Sequence, residues 1–120
     1  MNRKAIGDDA ERLACQYLRR HGLKLLGRNF RCRGGEIDLI MQHGDSLVFV
    51  EVRYRRRTAF GRAAETVSPL KQSRVIRCAQ VYINQHRCWN KAARFDVLSI
   101  EGETDRLRID WITNAFQTKV

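Results

Sequence analysis

Long apolar runs are missing from this sequence: the longest uninterrupted aliphatic and aromatic stretch is Leu47 to Val50, far short of the roughly 20 residues that span a bilayer. The opening residues, Met1-Asn2-Arg3-Lys4-Ala5-Ile6-Gly7, carry no apolar signal-peptide region, so the expected compartment is the cytoplasm and no membrane partner is expected. Proline occurs once, at Pro69, and no repeat, low-complexity tract or Pro/Ser-rich linker divides the chain. A single domain over residues 1–120 follows. The four cysteines, Cys15, Cys32, Cys78 and Cys88, form no C-x-x-C pair, and His21, His43 and His86 fall at unrelated spacings. Neither a zinc site nor a disulfide framework is suggested, and reduced, mostly buried thiols are expected.

What the chain has instead is enough apolar content for a core, and an excess of positive charge. With 120 residues, 43% of them apolar, it can bury roughly two thirds of the surface its unfolded form exposes. The formal net charge is +10, and its placement is uneven: Val52 to Arg94 holds eleven basic residues and one acid, Glu65, while the rest of the chain holds twelve of each sign. Arg53, Arg55, Arg56, Arg57 and Arg62 are packed closest. Such a block predicts a polyanion partner, because each phosphate neutralised releases counterions. The alternative is a solvated basic surface that aids solubility. Within the block, Arg55 to Ala64 is polar enough for a mobile loop.

Periodicity sets the order of elements. A first helix is expected from near Asp8 to Gly22, with Asp8 as N-cap and Glu11 three residues later; Ala10, Leu13, Ala14, Tyr17 and Leu18 form its apolar stripe. Gly22 suits a C-terminal cap. A short strand around Lys24 to Phe30 precedes two clear strands, Glu36 to Gln42 and Leu47 to Tyr54, joined by the hairpin turn His43-Gly44-Asp45-Ser46. Ser68-Pro69 opens a second helix that runs to about His86. Gln72, Val75, Ile76, Ala79, Tyr82 and Ile83 form its inward face, and Lys71, Arg74 and Arg77 point elsewhere. Strands return at Arg94 to Ile100 and Arg106 to Ile112 around the turn Glu101-Gly102-Glu103-Thr104. The reading is an α/β fold with a mixed sheet.

The hairpin register brings acids together. Period-2 alternation puts Val48, Val50 and Val52 on one face of the second hairpin strand and Phe49, Glu51 and Arg53 on the other. If Gln42 pairs with Leu47, counting outward sets Asp38 opposite Glu51 and Glu36 opposite Arg53. Opposed like charges destabilise a sheet unless a cation compensates them. An oxygen-only site of this kind suits Mg²⁺ or Mn²⁺. A turn one residue longer or shorter would separate the two acids onto different faces.

Gly35-Glu36-Ile37-Asp38-Leu39-Ile40 followed by Val48-Phe49-Val50-Glu51-Val52-Arg53 resembles the D…E-x-K core of the PD-(D/E)XK nuclease superfamily. The likeness covers roughly residues 7 to 112 and is closest to the YraN family of uncharacterised bacterial proteins, related to archaeal Holliday junction resolvases. It implies a restriction-endonuclease-like α-β-β-β-α-β core. It assigns Asp38 and Glu51 as metal ligands, places Arg53 where the catalytic lysine usually stands, and matches Glu11 to the acid that often completes the site. Glu11 is equally explained by a capping box with Asp8. Gln72 resembles the helix glutamine that lines such sites, and is otherwise a local hydrogen-bonding residue. Asp96 recurs in the family pattern and is read here as structural. The departure is Arg53: a guanidinium stays protonated, so it can steady developing charge but not act as general base. Its alternative role is a cross-strand salt bridge with Glu36.

Three functions follow as expectations. The first is a Mg²⁺- or Mn²⁺-dependent, structure-selective DNA endonuclease, with Arg55, Arg56, Arg57, Arg62, Lys71 and Arg74 on the nucleic-acid backbone. The second is a catalytically silent nucleic-acid-binding module of the same fold. The third is an adaptor whose arginines meet an acidic protein. Two-fold pairing is expected only by analogy with resolvase relatives.

Overall fold

The computed structural model describes residues 3–55, 67–103 and 106–117, of which 3–8 and 103 by backbone alone. In chain order the elements are α1 (Arg3–Arg20), β1 (Lys24–Cys32), β2 (Gly35–His43), β3 (Ser46–Arg55), α2 (Pro69–Gln85), β4 (Ala93–Glu103) and β5 (Arg106–Phe116). This is the expected order of helix, three strands, helix and two strands. The strands form one sheet in sequence order, β1-β2-β3-β4-β5. β3 and β4 run parallel and the other neighbours antiparallel. Parallel neighbours need a crossover, and the segment carrying α2 supplies it.

Alternation along β3 sorts the core into two layers. Phe49 and Leu47 join Ile37, Val75, Ala79 and Tyr82 beneath α2. Val48 and Val50 join Ala14, Leu18, Leu39 and Leu98 beneath α1. A central strand buried on both faces reads as a continuous apolar run, which is what Leu47 to Val50 is. The architecture is α/β with a mixed sheet between helices, consistent with a restriction-endonuclease-like core.

Local chemistry explains the helix ends. Ser68 caps α2, its Oγ accepting from Lys71 N at 3.1 Å, and Pro69 takes the first turn. Gly22 ends α1 at φ 91°, with Leu23 N donating to Leu18 O at 3.1 Å and the Leu23 side chain buried. The start of α1 corrects the sequence reading. The helix is already formed at Arg3, so Asp8 lies inside it and is not an N-cap. The β4–β5 turn is also displaced: both strands continue to a Glu103–Arg106 pair, and Gly102 sits within the ladder opposite Leu107. At φ 114° a Cβ on Gly102 would run into the Arg106 carbonyl, so the glycine serves the strand rather than the turn.

The cysteine expectation is corrected as well. Cys32 and Cys78 form a disulfide with their Cα atoms 5.5 Å apart. Their separation of 46 residues hid the pair, since only the docking of α2 against β1 brings them together. Cys15 and Cys88 are free thiols, the first buried. Gly35 explains how close that docking is: a Cβ there would stand 3.0 Å from both the Arg74 carbonyl oxygen and Cys78 Sγ.

Candidate functional site

The hairpin pairs as counted from its turn. Gln42 stands opposite Leu47, and the ladder runs outward to Leu39 opposite Val50. It closes one pair tighter than expected, at His43 opposite Ser46, with Gly44 at φ 60° in the turn. Beyond Leu39 the ladder stops, and the Asp38 side chain takes its place by accepting from Val52 N at 2.8 Å. On the other side of β2 the register is kept from Arg28–Leu39 to Phe30–Ile37, the intervening Asn29 standing at φ 51°, and it shifts only between Leu25 and Gly27. Asp38 thus stands just past the end of the β2–β3 ladder. Its carboxylate does there what a strand carbonyl would otherwise do.

Glu51 follows Val50 on β3 and faces α2, with only 4% of its surface exposed. Lys71, in the first turn of α2, places Nζ 3.1 Å from Glu51 Oε1. Lys71 therefore turns toward the sheet, correcting the expectation that it points elsewhere. Its spacing shows why: Lys71 heads the stripe that continues through Val75, Cys78 and Tyr82, all buried on the inward face. That stripe was a readable signal for the partner of Glu51.

The electrostatics of Asp38 record how closely charge is gathered. Burial, then the negative charge of Glu51, push its carboxyl up to about 8. The Val52 N–H and Lys71 oppose that rise, and the charge of Glu11 adds to it. Glu11 comes from α1, half-buried. Because Asp8 is inside the helix, the capping-box role for Glu11 has no cap to complete. Asp38 on β2 thus feels the carboxylates of Glu51 from β3 and Glu11 from α1 and the ammonium of Lys71 from α2.

The other sequence candidates fall around this centre. Glu36 stands opposite Arg31, and their charged atoms approach to 3.9 Å. This is an ion pair of Glu36. Arg53 is half-buried on β3, opposite Ser99 of β4. Gln72 donates from Nε2 to Val67 O at 2.9 Å, the local role allowed for it. Arg74 is exposed on α2, and Arg55 is half-buried at the end of β3. Arg56, Arg57 and Arg62, with the rest of the expected loop, lie outside the described residues. Asp96 is fully buried and accepts from Arg94 Nε, Trp111 Nε1 and Asn114 N, each at 2.9 Å. These bonds bracket the register shift between Phe95 and Val97, so the residue has the structural role read for it.

The chemistry of the donor set fits a hard divalent cation. Asp38 and Glu51 offer only oxygen, they are withdrawn from water, and their charges oppose one another. Lys71 supplies one positive charge to Glu51. Among the described residues no three His, Cys, Asp or Glu side chains stand ready as a complete ligand set, so water or phosphate oxygens would have to finish the coordination.

A mixed sheet between two helices, with clustered acids where its central hairpin ladder stops, defines the class of the fold and of its site. The family follows from direct comparison: residues 10–100 match the model of the uncharacterised protein family UPF0102, and the chain belongs to that family, also called YraN. It is similar to UPF0102 proteins of Nitrosococcus oceani (48% identical, covering 94% of this chain and 92% of that one) and Stutzerimonas stutzeri (49%, covering 96% and 97%). A UPF0102 protein of Aeromonas hydrophila is 48% identical over 92% of this chain and 83% of its own. No described helix is long and apolar enough to cross a membrane.

Proposed function

We propose that the chain binds nucleic acid and hydrolyses phosphodiesters with Mg²⁺ or Mn²⁺, acting on DNA of branched or non-duplex structure. The observation that carries this reading is the convergence of Asp38, Glu51 and Lys71 from three elements at a break in the ladder. Asp38 and Glu51 would hold the metal, with Glu11 beside them; the ion would lower the pKa of a bound water and polarise the phosphate. Lys71 brings to Glu51 the ammonium that Arg53 does not supply from the strand. Its three donors can keep Glu51 oriented while still reaching a phosphate oxygen. Arg53 adds fixed positive charge on the same strand, suited to an oxyanion and not to proton abstraction. The basic segment that begins at Arg53 grips the backbone and carries no base information, so selection is by shape.

The test is cleavage of junction, flap and duplex DNA with Mg²⁺ or Mn²⁺ by wild type and Asp38→Ala. Loss of about a hundredfold or more in the variant is expected, two orders of magnitude being what a positioned water commonly contributes. Equal activity in both proteins overturns the mechanism.

The Lys71–Glu51 contact also supports a second reading, a binding module without catalysis. With an ammonium at 3.1 Å and Asp38 held largely protonated at neutral pH, the acids are partly compensated without any metal. Calorimetric titration separates the two readings. Heat on adding Mn²⁺, abolished by Asp38→Ala, favours the enzyme; salt-dependent DNA binding without it favours the module.

A further inference from the structure

Behind the carboxylates, the β1–β2 turn lies against the N-terminal half of α2 and encloses an open depression of about 410 Å³. Arg31, Glu36, Lys71 and Arg74 line it. Arg77 joins them from the next turn of α2: its Nη1 passes 3.7 Å from where a Cβ on Gly34 would stand. Arg33 stands at the turn itself, exposed, as are Arg31, Arg74 and Arg77. Five cations therefore share this surface with one carboxylate, Glu36, which lies 3.9 Å from Arg31.

We propose that this surface is a second phosphodiester-backbone site, in which Arg31, Arg33, Arg74 and Arg77 hold phosphates adjacent to the one at the carboxylates. The proposal rests on the nucleic-acid reading above and extends it to residues outside the basic block's strand end. Two features favour a backbone over a lone phosphate. The cations are spread along a turn and two turns of helix rather than converging on a point, as successive phosphates require. Lys71 belongs both to the depression and to the Glu51 contact, so the surface continues into the candidate active centre.

The halves of this surface come from segments far apart in sequence, and two devices keep them in register. Gly35 lets the turn approach α2 where a Cβ would crowd the helix, and Gly34 takes the turn's positive φ of 84°. The Cys32–Cys78 bond then ties the Arg31-Cys32-Arg33 segment to the helix beside Arg77 and one turn past Arg74. Cations held at a preset spacing lose less entropy on binding than free side chains on a mobile loop.

Binding is read by fluorescence anisotropy of a labelled four-way junction over a chloride series, in EDTA. The variant replaces Arg31, Arg33, Arg74 and Arg77 by alanine; a control replaces Arg19, Lys24, Lys91 and Arg106, four exposed cations elsewhere, so both lose the same net charge. The site variant is expected to bind about tenfold or more weakly, its slope of log K against log salt shallower by about 0.9 for each phosphate it no longer neutralises. The control keeps the wild-type slope. Arg74→Ala/Arg77→Ala alone shows about half the change, and thermal melts verify that each variant is folded. Equal slopes in wild type and site variant overturn this site, while Asp38-dependent cleavage in that same variant leaves the proposed function standing. Equal weakening in site variant and control reduces the effect to net charge and also overturns it. Wild type that binds no nucleic acid but binds an acidic polypeptide overturns both.

Discussion

Asp38 is held in a state its side chain resists. Its ordinary pKa of 3.8 rises to about 8 in the fold, first through burial and then through Glu51. An acid whose folded pKa exceeds its unfolded one takes up a proton on folding between those two values, so stability falls as pH rises through that window. The loss is absent below about pH 4 and complete above about pH 8. In EDTA, Asp38→Asn is expected to melt above wild type at pH 8, the gap closing steadily toward pH 4. Asparagine Oδ1 can still accept from Val52 N, so the hydrogen bond does not confuse the comparison. A gap that does not vary with pH contradicts the assignment. A residue that lowers stability by being where it is fits a place in chemistry better than a place in the core.

At the scale of elements, the contact between the β1–β2 turn and α2 sets where Lys71 and the arginines stand. A Cβ at Gly35 would meet a backbone carbonyl and a disulfide sulfur at 3.0 Å, and neither can swing aside as a flexible side chain could. Gly35→Ala is expected to lower stability by about 1–3 kcal/mol, as overpacking does, read as a fall in melting temperature. Gly22→Ala, whose Cβ would meet nothing within 4 Å, disturbs only a positive φ and makes the comparison. The hairpin register was legible because a short turn and strict alternation are local properties, counted outward from Gly44. The helix cap at Ser68-Pro69 was legible for the same reason. The azimuth of α2 was legible in Val75, Ala79 and Tyr82; what stayed hidden was that Lys71 and Cys78 head and continue that stripe, because their partners Glu51 and Cys32 are distant in sequence. The start of α1 differs from the sequence reading because Asp8 and Glu11 carry the spacing of a capping box while the helix extends back to Arg3. That the hairpin ladder stops after Leu39, leaving Val52 N to the Asp38 carboxylate, could not be counted from alternation.

Over the whole molecule, the two helices cover opposite faces of the sheet, and the acids come together where its central ladder stops. The Cys32–Cys78 bond reaches across this plan, fastening an edge strand to the crossover helix. Closing a loop of 46 residues limits the unfolded chain by about 4 kcal/mol in the loop-entropy account. Reduction with a dithiol, which leaves two thiols and an oxidised dithiol, is expected to lower the denaturation midpoint by a corresponding amount. Cys32→Ser/Cys78→Ser should match the reduced protein and no longer respond to reductant; a midpoint unmoved by reduction would count against the bond.

The same bond makes residues 32 to 78 a covalent ring. Asp38, Glu51, Arg53 and Lys71 all sit on that ring, while Glu11 hangs from the tail that enters it. A single backbone cut anywhere between Cys32 and Cys78 opens the ring into two arms that stay joined through sulfur. The candidate centre then remains one molecule under oxidising conditions and becomes two under reducing ones, so a nick in the basic segment that begins at Arg53 would go unseen until the thiols were freed.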